Sequence, residues 1–144
     1  MPSIRLLQPS DIPSWIDLRR QLWPDQTDLD EQGRTAIAAD PPLIVFIAEE
    51  DESLIGFLEL WLRSYAEGCD SSPVPYVEGW YVAPGSRRQG VGGALMQAAE
   101  NWSRERGFTE LGSDTEETNR LSRDAHAALG FAEVETLTVF RKVL

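Results

Sequence analysis

The stretch Glu78–Leu95 constrains the chain more than any other: Glu-Gly-Trp-Tyr-Val-Ala-Pro-Gly-Ser-Arg-Arg-Gln-Gly-Val-Gly-Gly-Ala-Leu. Gly79 to Val82 reads as the end of a buried strand, Pro84-Gly85 as a turn, and the glycines that follow as a loop opening a helix. From Val91 the apolar residues fall at Val91, Leu95, Ala98, Ala99 and Trp102, which is helical spacing. Gly90, Gly92 and Gly93 therefore sit where the first backbone N–H groups of a helix have no intrahelical partner. Small residues let an anion approach those donors, and the helix dipole favours negative charge there. Arg87 and Arg88 add positive charge to the same spot. The stretch is a cradle for an anion, and a pyrophosphate is the expected guest.

Two other phosphate motifs compete. A dinucleotide-binding turn needs a three-glycine spacing that is absent here, and it does not usually come mid-chain. A P-loop needs Gly-Lys-Ser/Thr, which does not follow. Composition narrows the partners. With 24 acidic against 13 basic residues the net charge is −11, which argues against nucleic acid and suits a cationic small substrate. Met1–Leu18 carries charges and no continuous apolar stretch, so a secretory leader is not expected. No run approaches the ~20 apolar residues of a membrane span, so no membrane partner is expected. The one cysteine, Cys69, has no internal partner for a disulfide, and a cytoplasmic setting fits. No metal site is expected.

At 144 residues the chain reads as one domain, 1–144. Ile4–Leu7 is a short strand, and Ser10 is a plausible N-cap for a helix with Ile12, Trp15, Ile16, Leu18 and Leu22 on one face. That helix stops by Trp23, because Pro24 disfavours α geometry in the residue before it. A weaker helix covers about Asp28–Ala39. Leu43–Ala48 and Leu54–Leu62 form a hairpin across Glu49-Glu50-Asp51-Glu52-Ser53. Tyr65–Val74 is a loop, and Tyr76–Val82 the strand leading to the cradle. A helix over about Gly90–Arg106, a strand at Thr109–Ser113, a helix at Thr118–Leu129 and one or two strands in Ala132–Val143 complete the order β-α-α-β-β-β-α-β-α-β. This is an α/β (α+β) domain with a mixed sheet.

The spacing Arg87-x-x-Gly90-x-Gly92, after a strand and before a helix, resembles the acyl-CoA loop of the GNAT superfamily of N-acetyltransferases. The element order matches that layout, a mostly antiparallel sheet flanked by about four helices. Within the superfamily, Leu22-Trp23-Pro24, Glu67 to Val74, Glu78-Gly79, Ser113-Asp114-Thr115, Asn119 and His126-x-x-Leu129-Gly130-Phe131 with Glu133-x-Glu135 resemble aminoglycoside 6′-N-acetyltransferases. The resemblance implies acetyl-CoA contacts at Trp80, Tyr81, Val82, Arg87, Arg88, Gln89, Gly90, Val91, Gly92, Gly93 and Asn119. It implies an aminoglycoside, or a similar polycationic amine, lined by Trp23, Tyr65, Glu78, Asp114 and Glu135. Gln26 stands where relatives often carry histidine. A homodimer, built on the β-rich Glu133–Val143, is likewise implied.

Acetyl transfer to an amine needs an unprotonated nitrogen, a polarised carbonyl and a tolerable leaving thiolate. The strand near Tyr81 and Val82 can offer a backbone N–H to the carbonyl oxygen. A carboxylate that attracts an ammonium also stabilises it, so at least one acid must take its proton. Asp114 is the first choice and Glu78 the second. Many GNAT enzymes place a tyrosine four residues before the Gly-Phe pair to protonate the thiolate. This chain has His126 there, and a histidine can donate a proton near neutral pH. Another amine, such as a polyamine or a peptide N-terminus, is the alternative substrate; a non-catalytic acyl-CoA-binding module is the alternative class.

Overall fold

The computed structural model describes residues 2–144. Strands β1 (Ser3–Leu6), β2 (Ile44–Glu50), β3 (Ser53–Arg63), β4 (Val74–Val82) and β5 (Gly112–Ser113) form one sheet in that order. Neighbours from β1 to β4 are antiparallel, and β5 lies parallel to β4. Four helices flank it: α1 (Ile12–Leu22), α2 (Leu29–Ile37), α3 (Val91–Glu105) and α4 (Arg120–Ala128).

The sheet carries apolar residues on both faces, so each face needs a cover. On one side Phe46, Ala48, Leu58, Leu60 and Val77 pack against Val91, Leu95, Met96 and Ala99 of α3. On the other, Val45, Ile47 and Phe57 meet Trp15, Ile16 and Leu18 of α1 and Ala36 of α2. The expected helical faces of α1 and α3 are thus the faces that are buried.

The β4 register contains the feature that builds the site. Glu59 of β3 faces Gly79, but the next residue, Leu60, faces Val77, so Glu78 is an extra residue in β4. A bulge of this kind re-aims the side chains around it. Strict alternation would put Val77 and Trp80 on opposite faces. Here Val77, Trp80 and Val82 all join the α3-side core, while Tyr81 joins the α1 side.

Three expectations need correction. Ser10 does not cap α1; Pro9–Asp11 forms a 3₁₀ turn, and the Asp11 carboxylate accepts the Gln8 N–H at 2.8 Å. Asp11 also pairs with Arg5 at 2.7 Å, which holds its carboxyl below the usual carboxylate range. The strand at Thr109–Ser113 shrinks to Gly112–Ser113. Ala132–Val143 forms no strand at all, and its Val134, Leu137, Val139 and Phe140 are exposed. Local composition favours extended backbone there, but a strand needs a neighbour for its N–H and C=O groups, and this segment has none within the described chain.

Leu95 is fully buried at the centre of the α3-side core. Leu95→Ala is expected to lower the unfolding free energy by about 2–5 kcal/mol in urea. A loss under about 1 kcal/mol would place the structural centre elsewhere.

Candidate active site

The cradle forms as its spacing requires. Arg88 and Gly90 have positive φ, +63° and +79°, turning the chain so that Gly90 becomes the N-cap of α3. No side chain caps the helix, and the hydrogen-bond ladder starts only with the Ala94 N–H to the Gly90 carbonyl at 3.0 Å. The N–H groups of Val91, Gly92 and Gly93 are therefore open donors at the positive end of a four-turn helix. A Cβ on Gly90 would meet nothing within 4 Å, so the space beside the helix cap is clear. Arg87 is committed differently from Arg88. Its Nε donates to the Val82 carbonyl at 2.8 Å and its guanidinium lies 5.5 Å from the Tyr81 ring centroid, so it braces the turn.

Trp80 joins this cradle to the residues beyond it. Its indole N–H donates to the Gly92 carbonyl at 3.1 Å, and its ring stands edge-on to His126 at 5.2 Å. His126, on α4, is also edge-on to Phe131. Its Nδ1 lies 2.7 Å from the Ser122 carbonyl and its Nε2 2.8 Å from the Ser113 hydroxyl. A carbonyl can only accept, so Nδ1 carries a proton, and Nε2 shares the second hydrogen bond with the Ser113 hydroxyl, which can donate or accept. Asn119 is spent in part as the N-cap of α4, where its carbonyl oxygen accepts the Ser122 N–H at 3.1 Å.

The two candidate bases belong to one network. The Tyr76 hydroxyl donates to Asp114 Oδ2 at 2.7 Å. Arg63 stacks on the Tyr76 ring at 3.6 Å and binds both oxygens of Glu78, at 2.7 and 2.8 Å. The contact with Glu78 raises the Arg63 pKa, so the cation is permanent. Burial, then the hydrogen bond to Asp114, push the Tyr76 phenol well above its ordinary range. Glu78 is thus already paired, whereas Asp114 meets a neutral hydroxyl and keeps Oδ1 without a partner among the described residues.

On the α1 side a cavity of about 680 Å³ opens, lined by Trp23, Gln26, Glu31, Thr35, Trp61 and Glu78, among others, with Arg19 and Glu59 in its wall. Trp23 and Glu78 therefore share a cavity. Asp114, Tyr65 and Glu135 do not line it: Asp114 is joined to Glu78 only through Tyr76 and Arg63, Tyr65 is 68% exposed in its loop, and Glu135 lies in the exposed C-terminal segment. Gln89 is exposed on the cradle loop, and Val82 packs into the core. Cys69 sits in the loop after β3, where burial pushes its thiol pKa up, the opposite of an activated nucleophile.

Sequence reasoning missed Arg63, Tyr76, Ser113, Arg19 and Glu59. Only the last two left a signal. Glu59 interrupts the apolar run Leu54–Leu62, and Arg19 interrupts the apolar face of α1; each demands the other.

The Acetyltransferase (GNAT) family model matches residues 9–131. An aminoglycoside N(6′)-acetyltransferase type 1 of Klebsiella aerogenes is 46% identical over 99% of this chain and 97% of its own length. Its namesake from Stenotrophomonas maltophilia is 42% identical, covering 99% and 94%. The solved structure of AAC(6′)-Iy with the bisubstrate analogue CoA-S-monomethyl-acetylneamine superposes with a TM-score of 0.92 at 38% identity, covering 100% of this chain and 99% of that one.

Because the folded Tyr76 pKa is raised, the stability it contributes is complete below about pH 10, the ordinary tyrosine range, and is lost as pH rises beyond it. Tyr76→Phe is expected to flatten the alkaline fall in unfolding free energy, followed by urea melts at stepped pH. A variant whose stability falls as steeply as the wild type's would refute that assignment.

Proposed function

The chain belongs to the GNAT acetyltransferase family, and from that premise we propose that it transfers acetyl from acetyl-CoA to the 6′-amine of aminoglycosides by direct attack in a ternary complex. The carrying observation is a run of contacts, Gly92–Trp80–His126–Ser113, which links the cradle to the residue just before Asp114. The cradle and the residue next to Asp114 are thus joined through Trp80 and His126.

The cradle suits CoA on its own geometry: open donors, a clear approach over Gly90, and a Gly92 whose added Cβ would touch the Trp80 ring at 3.4 Å. Arg88 to Gly93 hold the pyrophosphate, with Arg87 fixing the turn and the free amide of Asn119 facing the same ligand. Trp80, Tyr81 and Val82 flank the acyl end. When bound, acetyl-CoA supplies the activated acetyl group as a thioester. Asp114 draws in the substrate ammonium and takes its proton at Oδ1, while Tyr76 holds Oδ2 and fixes the carboxylate plane. Glu78, tethered by Arg63, orients the amino sugar in the cavity that Trp23 shares. His126, when charged, passes the proton on Nε2 to Ser113 Oγ, 2.8 Å away, as that hydroxyl gives its own proton to the leaving sulfur.

The same reading makes 1–144 a single acetyltransferase domain, acting in the cytoplasm as a homodimer. Val134, Leu137, Val139, Phe140 and Val143 are too exposed to be at rest in water, and a second copy of the chain supplies the strand partner that Ala132–Val143 lacks. Tyr65 and Glu135 then line the substrate in the assembled dimer.

Three measurements check this. Acetyl-CoA with kanamycin or tobramycin should release free CoA, whereas aminoglycosides lacking a 6′-amine should not; equal turnover of the two sets would reject the regiochemistry. Asp114→Asn should lower kcat/KM by about 10²–10⁴-fold, the range for loss of a general base; an unchanged rate would move the base to Glu78. Sedimentation should give twice the 16.1 kDa of the chain, and a chain stopped after Phe131 should sediment as a monomer. A wild-type monomer would refute the dimer.

A further inference from the structure

Two opposite charges lie buried beside the α1-side cavity, and nothing in the acetyl-transfer reading uses them. Arg19 of α1 is 7% exposed and Glu59 of β3 is 1% exposed, with Nε and Oε1 2.6 Å apart. Taking both ions out of water offsets most of their attraction, and apolar residues of similar size often hold such layers equally well. Stability alone is therefore a poor reason for the pair.

Its neighbours supply a better one. The Arg19 guanidinium lies 5.1 Å from the Trp15 ring centroid and 5.1 Å from that of Trp23, and its Nη1 donates to the Leu29 carbonyl at 2.8 Å. One side chain thus ties α1 to the start of α2 and to β3 while touching two indoles. Trp23 is the residue that ends α1, with φ −123° and ψ 65°. Its indole N–H makes no hydrogen bond among the described residues, so packing alone sets the ring's pose. The ring's far edge lies over Gly79, where a Cβ would stand 2.8 Å from Trp23 Cη2 and 3.1 Å from Glu59 Oε2. Phe57 is the remaining aromatic neighbour, tilted at 6.4 Å. Glu59 holds Arg19, Arg19 holds Trp23, and the bulged backbone at Gly79 leaves room for both. Trp23 in turn is a wall of the cavity that Glu78 enters.

We propose that Arg19 and Glu59 are positioning residues for the acceptor: the pair fixes the Trp23 indole as a platform for an amino-sugar ring, and so sets acceptor affinity without touching the donor. This rests on the reading of the cavity as the aminoglycoside site. A planar guanidinium can cover two indoles at once; an ammonium is a point charge and cannot.

The test replaces charge by matched apolar bulk. Arg19→Met with Glu59→Leu should keep the melting temperature at or above wild type, because the layers stay filled. Its KM for the aminoglycoside should rise about tenfold, the scale of a lost cation–π support, with the KM for acetyl-CoA unchanged. Arg19→Lys should raise the acceptor KM in the same direction. A folded double variant with wild-type acceptor KM, or with both KM values raised together, overturns the proposal. A second readout stands apart from turnover: 5-fluorotryptophan NMR, with the Trp23 resonance assigned by Trp23→Phe. That resonance should be single and sharp in wild type and shifted or split in the double variant, while that of Trp102 stays put. An unmoved Trp23 resonance overturns the positioning even if the enzyme is active. A moved one in a chain that acetylates no aminoglycoside sinks the substrate reading and leaves the positioning of Trp23 intact.

Discussion

One extra residue in β4 organises everything else. Because Glu78 has no counterpart across the β3–β4 ladder, the strand changes face in its middle. Its first half sends Val77 into the α3-side core, and its second half sends Trp80 and Val82 to that same side. The bulge itself frees Glu78 to enter the opposite cavity. A regular strand would bury Glu78 or expose Trp80, and either would separate the cradle from the acids. Bulges of this sort weaken the ladder locally, so the surrounding cores must over-determine it; Leu58, Leu60, Phe57 and Tyr81 pack on both sides of the defect.

Trp80 is the beneficiary. It touches the first turn of α3 through its N–H and the ring of His126 through its edge. That geometry bridges α3, α4 and β4 through one side chain, at the point where an anion cradle ends and titratable groups begin. Rigidity here matters more than any single hydrogen bond, because alignment of two reactants can contribute roughly 7–11 kcal/mol while one neutral hydrogen bond contributes about 1.

What the sequence disclosed follows the range of the forces involved. The cradle was legible because glycine spacing and helical period are local, and α3 duly begins at Val91 with open donors. Asp114, Glu78 and His126 were singled out only through family likeness, since no spacing joins residues 36 or 48 positions apart in the chain. Arg63 and Tyr76 were not legible at all: their roles arise from cross-strand placement, which depends on a bulge that propensity does not mark. The buried Arg19–Glu59 pair was within reach, as a charge inside an apolar run always asks for its opposite. The C-terminal strand failed for the converse reason. Ala132–Val143 has the composition of a strand, yet a strand is a property of two segments, and the second is absent among the described residues.

The acidic balance then takes on a specific meaning. A trough of bare carboxylates would repel itself, and a trough fully neutralised by arginines would not attract a polyamine. This chain divides the work. Glu59 is answered by Arg19 and Glu78 by Arg63, both charge to charge, while Asp114 is answered only by a hydroxyl. Under the proposed function an arriving ammonium must compete with a guanidinium for Glu78, whereas Arg63 reaches Asp114 only across the Tyr76 ring and forms no ion pair with it. The charge of the paired acids is already balanced, so the proposed function gives them shaping and orienting roles and gives the proton transfer to the unpaired one. Of the three acids, only Asp114 stands outside the salt bridges that hold the sheet to its helices or to its own bulge.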